Sequence, residues 1–163
     1  MKLSKPVEDA LNAQLHKEYA AAYLYTSMSA YFESLSLTGF AHWFKLQSKE
    51  EYGHADKLFR YIIDRDGSIS LKKIDAPAST WSSPLKVVED AYRHECLVTK
   101  DIYSVFELAS KEKDHTTAAF LQWFLDEQVD EESEPLKVIE KIKRGGEQVG
   151  LLLLDKELSE RKE

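Results

Sequence analysis

Cysteine is almost missing from this chain of 163 residues: Cys96 stands alone. That excludes an intramolecular disulfide and any Cys-Cys metal knuckle, and it fits a reducing compartment. Long apolar runs are missing too. The longest purely aliphatic stretch is Leu151–Leu154, far short of a membrane span, and Met1 to Pro6 lacks the apolar core of a signal peptide. No segment is low in complexity and no short repeat is visible. Basic residues are in deficit, 22 Lys and Arg against 29 Asp and Glu, for a net charge of −7. Nucleic acid is therefore not an expected partner, whereas cationic ligands suit the balance. These absences predict a soluble, cytoplasmic protein. At this length it is expected to form one domain over 1–163, burying roughly 70% of its unfolded surface.

What is abundant is helix signal, and an all-α four-helix bundle is expected. The first helix is predicted from about Ser4 to Ser34, with Pro6 in the first turn, where its missing N–H costs little. The stretch ending at Gly39 is read as the break after it. A second helix runs to about Arg65 and stops at Asp66-Gly67. The following residues, with Pro77, several serines and Pro84, read as a long crossover connection between the second and third helices. The third helix is expected from Ser83-Pro84 to about Lys111. The fourth starts at an Asp114 N-cap and runs to about Arg144, where Gly145-Gly146 ends it. A short fifth helix is expected over 147–158. At 1.5 Å per residue, each of the long helices spans roughly 40 Å.

The core-facing rows, followed at spacings of three and four, are not uniformly apolar. They read Leu11, Leu15, Glu18, Ala22, Tyr25, Ser29, Phe32 in the first helix and Phe40, Phe44, Gln47, Glu51, His54, Leu58, Tyr61 in the second. The third gives Val88, Tyr92, Glu95, Thr99, Ile102, Phe106, and the fourth Leu121, Phe124, Gln128, Glu131, Pro135, Val138, Ile142. Each row carries a carboxylate where a structural bundle would place leucine or alanine. Burying one uncompensated carboxylate costs several kcal/mol, and the rows hold no matching cations. A metal centre compensates all four together, and oxygen donors with one imidazole suit iron or manganese. Glu51 and His54, three apart, project from one helix face and can reach one ion.

Beyond these rows, the chain resembles the bacterial and archaeal non-haem ferritins over nearly its whole length. The matching stretches are Leu11-Asn12-Ala13-Gln14 leading to Glu18-Tyr19, Lys49-Glu50-Glu51-Tyr52-Gly53-His54-Ala55, His94-Glu95, Phe120-Leu121-Gln122-Trp123-Phe124 with Glu127-Gln128, and Leu154-Asp155-Lys156-Glu157-Leu158-Ser159. The resemblance implies iron storage: Fe(II) is oxidised by dioxygen or peroxide at a di-iron ferroxidase centre and kept as ferric mineral in a shell of twenty-four subunits. It implies that Glu18 and His54 hold one iron, that Glu51 bridges, and that Glu95 binds the second. Gln128 would hydrogen-bond to a bound water or oxygen species. A third iron site would use Glu50, Glu127, Asp130 and Glu131, Asp130 being shorter than the usual glutamate. Tyr25 would donate an electron or hydrogen bond, assisted by Trp123. The fifth helix would pack its leucine run at the four-fold axes.

Departures narrow the type. Tyr52 stands where bacterioferritins carry their haem-ligating methionine, so no haem is expected. Glu131 replaces the histidine of a second Glu-x-x-His. A non-storing oxidase of the rubrerythrin type would carry that motif and a Cys-x-x-Cys module, and this chain has neither. Pro135, inside the fourth helix, should remove one backbone hydrogen bond and kink it. His94 is expected at the surface or an interface, as are His16, His42 and His115. Cys96, Trp43 and Trp81 read as packing residues, Trp81 anchoring the long connection.

Overall fold

The computed structural model describes residues 2–162, so residues 1 and 163 of the expected single domain lie outside the described residues. Helix α1 spans Lys5–Ser34, α2 Thr38–Asp64, α3 Pro84–Lys111, α4 His115–Gly145 and α5 Leu151–Leu158. No strand occurs among the described residues. The caps behave as the side chains dictate: Lys86 N–H donates to Ser83 Oγ at 3.2 Å and Thr117 N–H to Asp114 Oδ1 at 3.1 Å.

Helix α2 has no such cap of its own. Asp155 of α5 supplies one, accepting from Phe40 N–H at 2.9 Å. Gly39 permits that approach, since a Cβ there would lie 1.7 Å from the Asp155 carbonyl oxygen. The break expected in the stretch ending at Gly39 is present, but it closes before Gly39. The break falls at residues 35–37, where Ser36 takes φ 58°, and Gly39 sits inside the first turn of α2. The fifth helix is also shorter than expected, because Gly146 at φ 77° and a π-helical turn over Gly146–Gly150 take up the preceding residues. Helix α4 continues unbroken through the buried Pro135.

The apolar residues form two cores. One joins the end of α1 (Tyr25, Met28, Phe32) to the starts of α2 and α3 (Phe40, Phe44, Val87, Val88), the end of α4 (Val138, Ile142) and Leu151, Leu154 and Leu158. The other joins the start of α1 (Leu11, Leu15) to the ends of α2 and α3 (Leu58, Ile62, Ile102, Val105) and the start of α4 (Leu121, Phe124). Thus α2 and α3 run parallel, and residues 65–83 must travel the length of the bundle to join them. Asn12 ties down one end of that crossover, donating to the Ser68 carbonyl at 2.9 Å and accepting from Ser70 N–H at 2.7 Å. Trp81 ties down the other, donating to Asp90 at 3.1 Å and packing edge-on against Tyr31. Between the two cores lies a polar belt.

Candidate metal centre

The belt collects one stretch from each long helix. Glu18, Glu51 and Glu95 are each 1% exposed, and His54, Gln128 and Glu131 are also buried. The three-residue spacing on α2 brings His54 Nδ1 to 3.1 Å from Glu51 Oε2. One turn before Glu18, Gln14 donates to its Oε1 at 2.8 Å. The Tyr25 hydroxyl donates to Glu95 Oε1, and Gln128 donates to Glu95 Oε2 at 3.2 Å and to Thr99 Oγ1 at 3.1 Å. Gln47 donates to Glu131 Oε2 at 2.8 Å.

Ligand atoms converge in three overlapping sets, each within 4.8 Å: Glu18, Glu51 and His54; Glu51, Glu95 and Glu131; and His54, Glu127 and Glu131. Glu51 is common to the first two. Glu18 Oε2 and Glu51 Oε1 are buried with no hydrogen-bond partner. Desolvation raises the Glu18 carboxyl, and it raises Glu51 well above its ordinary range with added repulsion from Glu95 and Glu18. Burial likewise lifts Glu95 to about 7 and, with Glu95 and Glu50 nearby, Glu131 to about 9. His54 is pushed the other way, to about 4, by burial and then by Lys57, so its imidazole is neutral and keeps a lone pair. Orphaned carboxylate oxygens, mutual repulsion and a neutral imidazole together fit divalent cations with hard-donor preference, Fe(II) among them.

Most of the residues singled out in the sequence gather here. Tyr25 is buried with its hydroxyl on Glu95, and Trp123 lies edge-on to His54 at 5.4 Å with Lys57 over its ring. Glu131, expected at a third site, also reaches the second set. The Gln128 amide nitrogen is engaged by Glu95 and Thr99, which sets the residue against the candidate ligand Glu95. Glu50 is drawn instead to Arg161, and Asp130 is exposed and joins no convergent set among the described residues. His94 is half-buried rather than fully exposed: its Nε2 is buried without a partner and its ring meets Tyr25 of α1 edge-on at 5.9 Å.

Three contributors were missed. Gln14 precedes Glu18 by four residues, a spacing that places it beside its carboxylate and could have identified it, whereas Gln47 reaches from α2 to Glu131 of α4, which no local spacing announces. Arg161 lies beyond the last helix, where no periodicity announces a contact.

Known proteins with this architecture share more than the helices. A family profile for the ferritin-like domain matches residues 8–145. A bacterial non-heme ferritin of Bacteroides fragilis (strain 638R) is 41% identical over 159 residues, covering 98% of this chain and 99% of that protein. The bacterial non-heme ferritin of Staphylococcus haemolyticus (strain JCSC1435) is 42% identical over 160 residues, covering 98% and 96%. Among solved structures, an open pore ferritin from the hyperthermophilic archaeon Archaeoglobus fulgidus superposes with a TM-score of 0.97 at 44% identity, covering 99% of this chain and 100% of that one. A humanized archaeal ferritin gives 0.98 at 45%, with the same coverage. Matched from end to end in sequence and in fold, the chain belongs to the ferritin family.

Proposed function

We propose that this ferritin oxidises Fe(II) at the buried belt and passes the product on for storage. The observation that carries this reading is the pair of convergent sets sharing Glu51, with unpartnered oxygens on Glu18 and Glu51. Glu18 and His54 take one Fe(II), Glu51 bridges, and Glu95 with Glu131 takes the second. Both ions give up one electron each. Dioxygen accepts two electrons and two protons to leave as hydrogen peroxide, or peroxide accepts them to leave two waters.

The chain's own part is positional and protonic. The raised carboxyl groups hold protons while the centre is empty, and Fe(II) displaces them when it binds. Ionised carboxylates then favour Fe(III) over Fe(II) as hard anionic donors. Tyr25 and Gln128 hold Glu95 by its two oxygens, and Tyr25 stands ready to supply an electron. Glu50, Glu127, Glu131 and, through its position on α4, Asp130 form the way out, with a third iron held transiently. No haem takes part.

Residues 1–163 act as one ferritin-like domain, and twenty-four copies close a shell in the cytoplasm. Two features support assembly and a location away from the bilayer. Tyr23, Leu71, Val149, Leu152 and Leu153 are left at least half exposed on the single chain, as surfaces awaiting a copy would be. No described helix is long and apolar enough to cross a membrane. Aerobic addition of Fe(II) to the metal-free protein, with oxidation and particle mass followed together, tests the reading. Glu51→Ala and His54→Ala should lose rapid oxidation with assembly intact. Parental rates in both variants would overturn the site, and a parent that oxidises iron but never retains it would overturn storage.

A further inference from the structure

Beside the buried belt, Glu50, Glu127, Glu131 and Glu134 are close enough to repel one another: Glu134 and Glu127 act on Glu50, and Glu50 and Glu134 act on Glu131. A residue beyond the last helix meets this group. One guanidinium nitrogen of Arg161, Nη2, donates to both oxygens of Glu50 at 3.0 Å and lies 3.3 Å from Glu134, while Nη1 donates to Gln47 Oε1. Gln47 in turn donates to Glu131 at 2.8 Å, and Glu131 belongs to two of the three convergent sets. The Arg161 backbone is fixed as well, its carbonyl accepting from His42 Nε2 at 2.9 Å, while the guanidinium lies 5.8 Å from the Trp43 ring. Chain termini are usually loose unless something ties them down. Here one side chain is tied to three helix α2 and α4 residues that border the centre.

This placement explains why Glu50 stays out of the outer set. His54, Glu127 and Glu131 already converge within 4.8 Å, but Glu50, next in sequence to the bridging Glu51, is held by Arg161 Nη2. We propose that Arg161 is a displaceable latch on the outer set: it stands in for a cation on Glu50 and Glu134 until a divalent ion engages Glu50 with Glu127 and Glu131 and drives it out. The inference rests on the metal-centre reading above. A partly exposed ion pair is weak in water, whereas a divalent ion gathers several carboxylates at once, so the exchange is feasible in that direction. Its effect is ordered filling. The buried pair of positions, which Arg161 does not touch, loads first, and the outer position loads only against the latch. Release of Arg161 also frees Gln47, and with it Glu131, at the moment an ion occupies the way out.

The test uses a redox-inert ion, so that it does not depend on turnover. The metal-free assembled protein is titrated anaerobically with Zn(II), comparing the parent with Arg161→Gln and Arg161→Lys. Arg161→Gln should tighten a third equivalent by about three- to ten-fold and leave the first two within two-fold, with Arg161→Lys in between because it keeps the charge on Glu50 and loses the second nitrogen that holds Gln47. In a Glu50→Gln background the gain should vanish. In the parent, amide exchange of residues 159–162 should rise with the third equivalent and not with the first two. An unchanged or weaker third equivalent in Arg161→Gln overturns the latch, as does a gain that survives Glu50→Gln, a tail that stays protected at saturation, or a protein that takes two equivalents with or without Arg161. Failure of the metal-centre reading looks different: there His54→Ala would leave the first two equivalents untouched.

Discussion

Tyr25 donates to one oxygen of Glu95 and Gln128 to the other, so each oxygen of this carboxylate has a protein partner, while Glu18 and Glu51 each keep one oxygen without a partner. The hydroxyl of Tyr25 favours the ionised form of Glu95 against the burial that raises it to about 7. In Tyr25→Phe the ring still fills its space, but Glu95 loses a charge-assisted hydrogen bond worth about 1.5–3 kcal/mol, so the protonated form gains at neutral pH. The second metal equivalent should weaken about ten-fold. The first should be unaffected, because Glu18, Glu51 and His54 form a set without Glu95. An anaerobic Zn(II) titration of the variant decides it: loss of the first equivalent instead of the second would mean that Tyr25 serves the wrong half of the centre.

Elements are joined here by one close approach and one long crossover, and the approach can be probed with glycine. At Gly39 an added methyl would meet the Asp155 carbonyl oxygen at 1.7 Å, so Gly39→Ala must push α5 off the start of α2 and lose the Asp155 cap on Phe40. At Gly53, on an exposed part of α2, nothing lies within 4 Å. Gly53→Ala should therefore stabilise by about 0.5–1 kcal/mol through helix propensity, while Gly39→Ala should destabilise and expose Leu151, Leu154 and Leu158. Denaturant unfolding of both variants separates the two; equal shifts of the same sign would refute the α5 contact. The same pair marks what the sequence could reveal. Helix periodicity and caps such as Asp114 act within a few residues, so the four long helices, the crossover and the carboxylate rows were all readable. The Gly39–Asp155 contact, the Arg161 contact with Glu50 and the packing of His94 on Tyr25 depend on residues far apart in the chain, and no local pattern encodes such distances.

Across the whole molecule, two apolar cores hold a belt of ionisable groups that neither core can solvate, and this sets how stability depends on pH. Glu95 and Glu131, lifted to about 7 and about 9, keep their protons in the fold at pH values where the unfolded chain has released them. Their contribution is therefore present at low pH and lost as pH rises through those values. His54, lowered to about 4, works in the opposite sense, but only below its unfolded value of 6.5. The lowered His94 adds to that opposite effect, and once pH passes well above 6.5 the raised carboxyl groups dominate, so the metal-free protein loses stability as pH rises toward 9. A bound divalent ion reverses the requirement, since it binds the ionised carboxylates and compensates the charge that burial penalises. Thermal unfolding at pH 6.5, 7.5 and 8.5 should show Tm falling by several degrees in the chelated protein and staying level or rising with Zn(II). Glu131→Gln, which removes the group lifted furthest of those given a value, should flatten much of the fall in the chelated form. A metal-free Tm that climbs across this interval would mean that the belt is hydrated rather than buried, and that its carboxylates need no metal to compensate them.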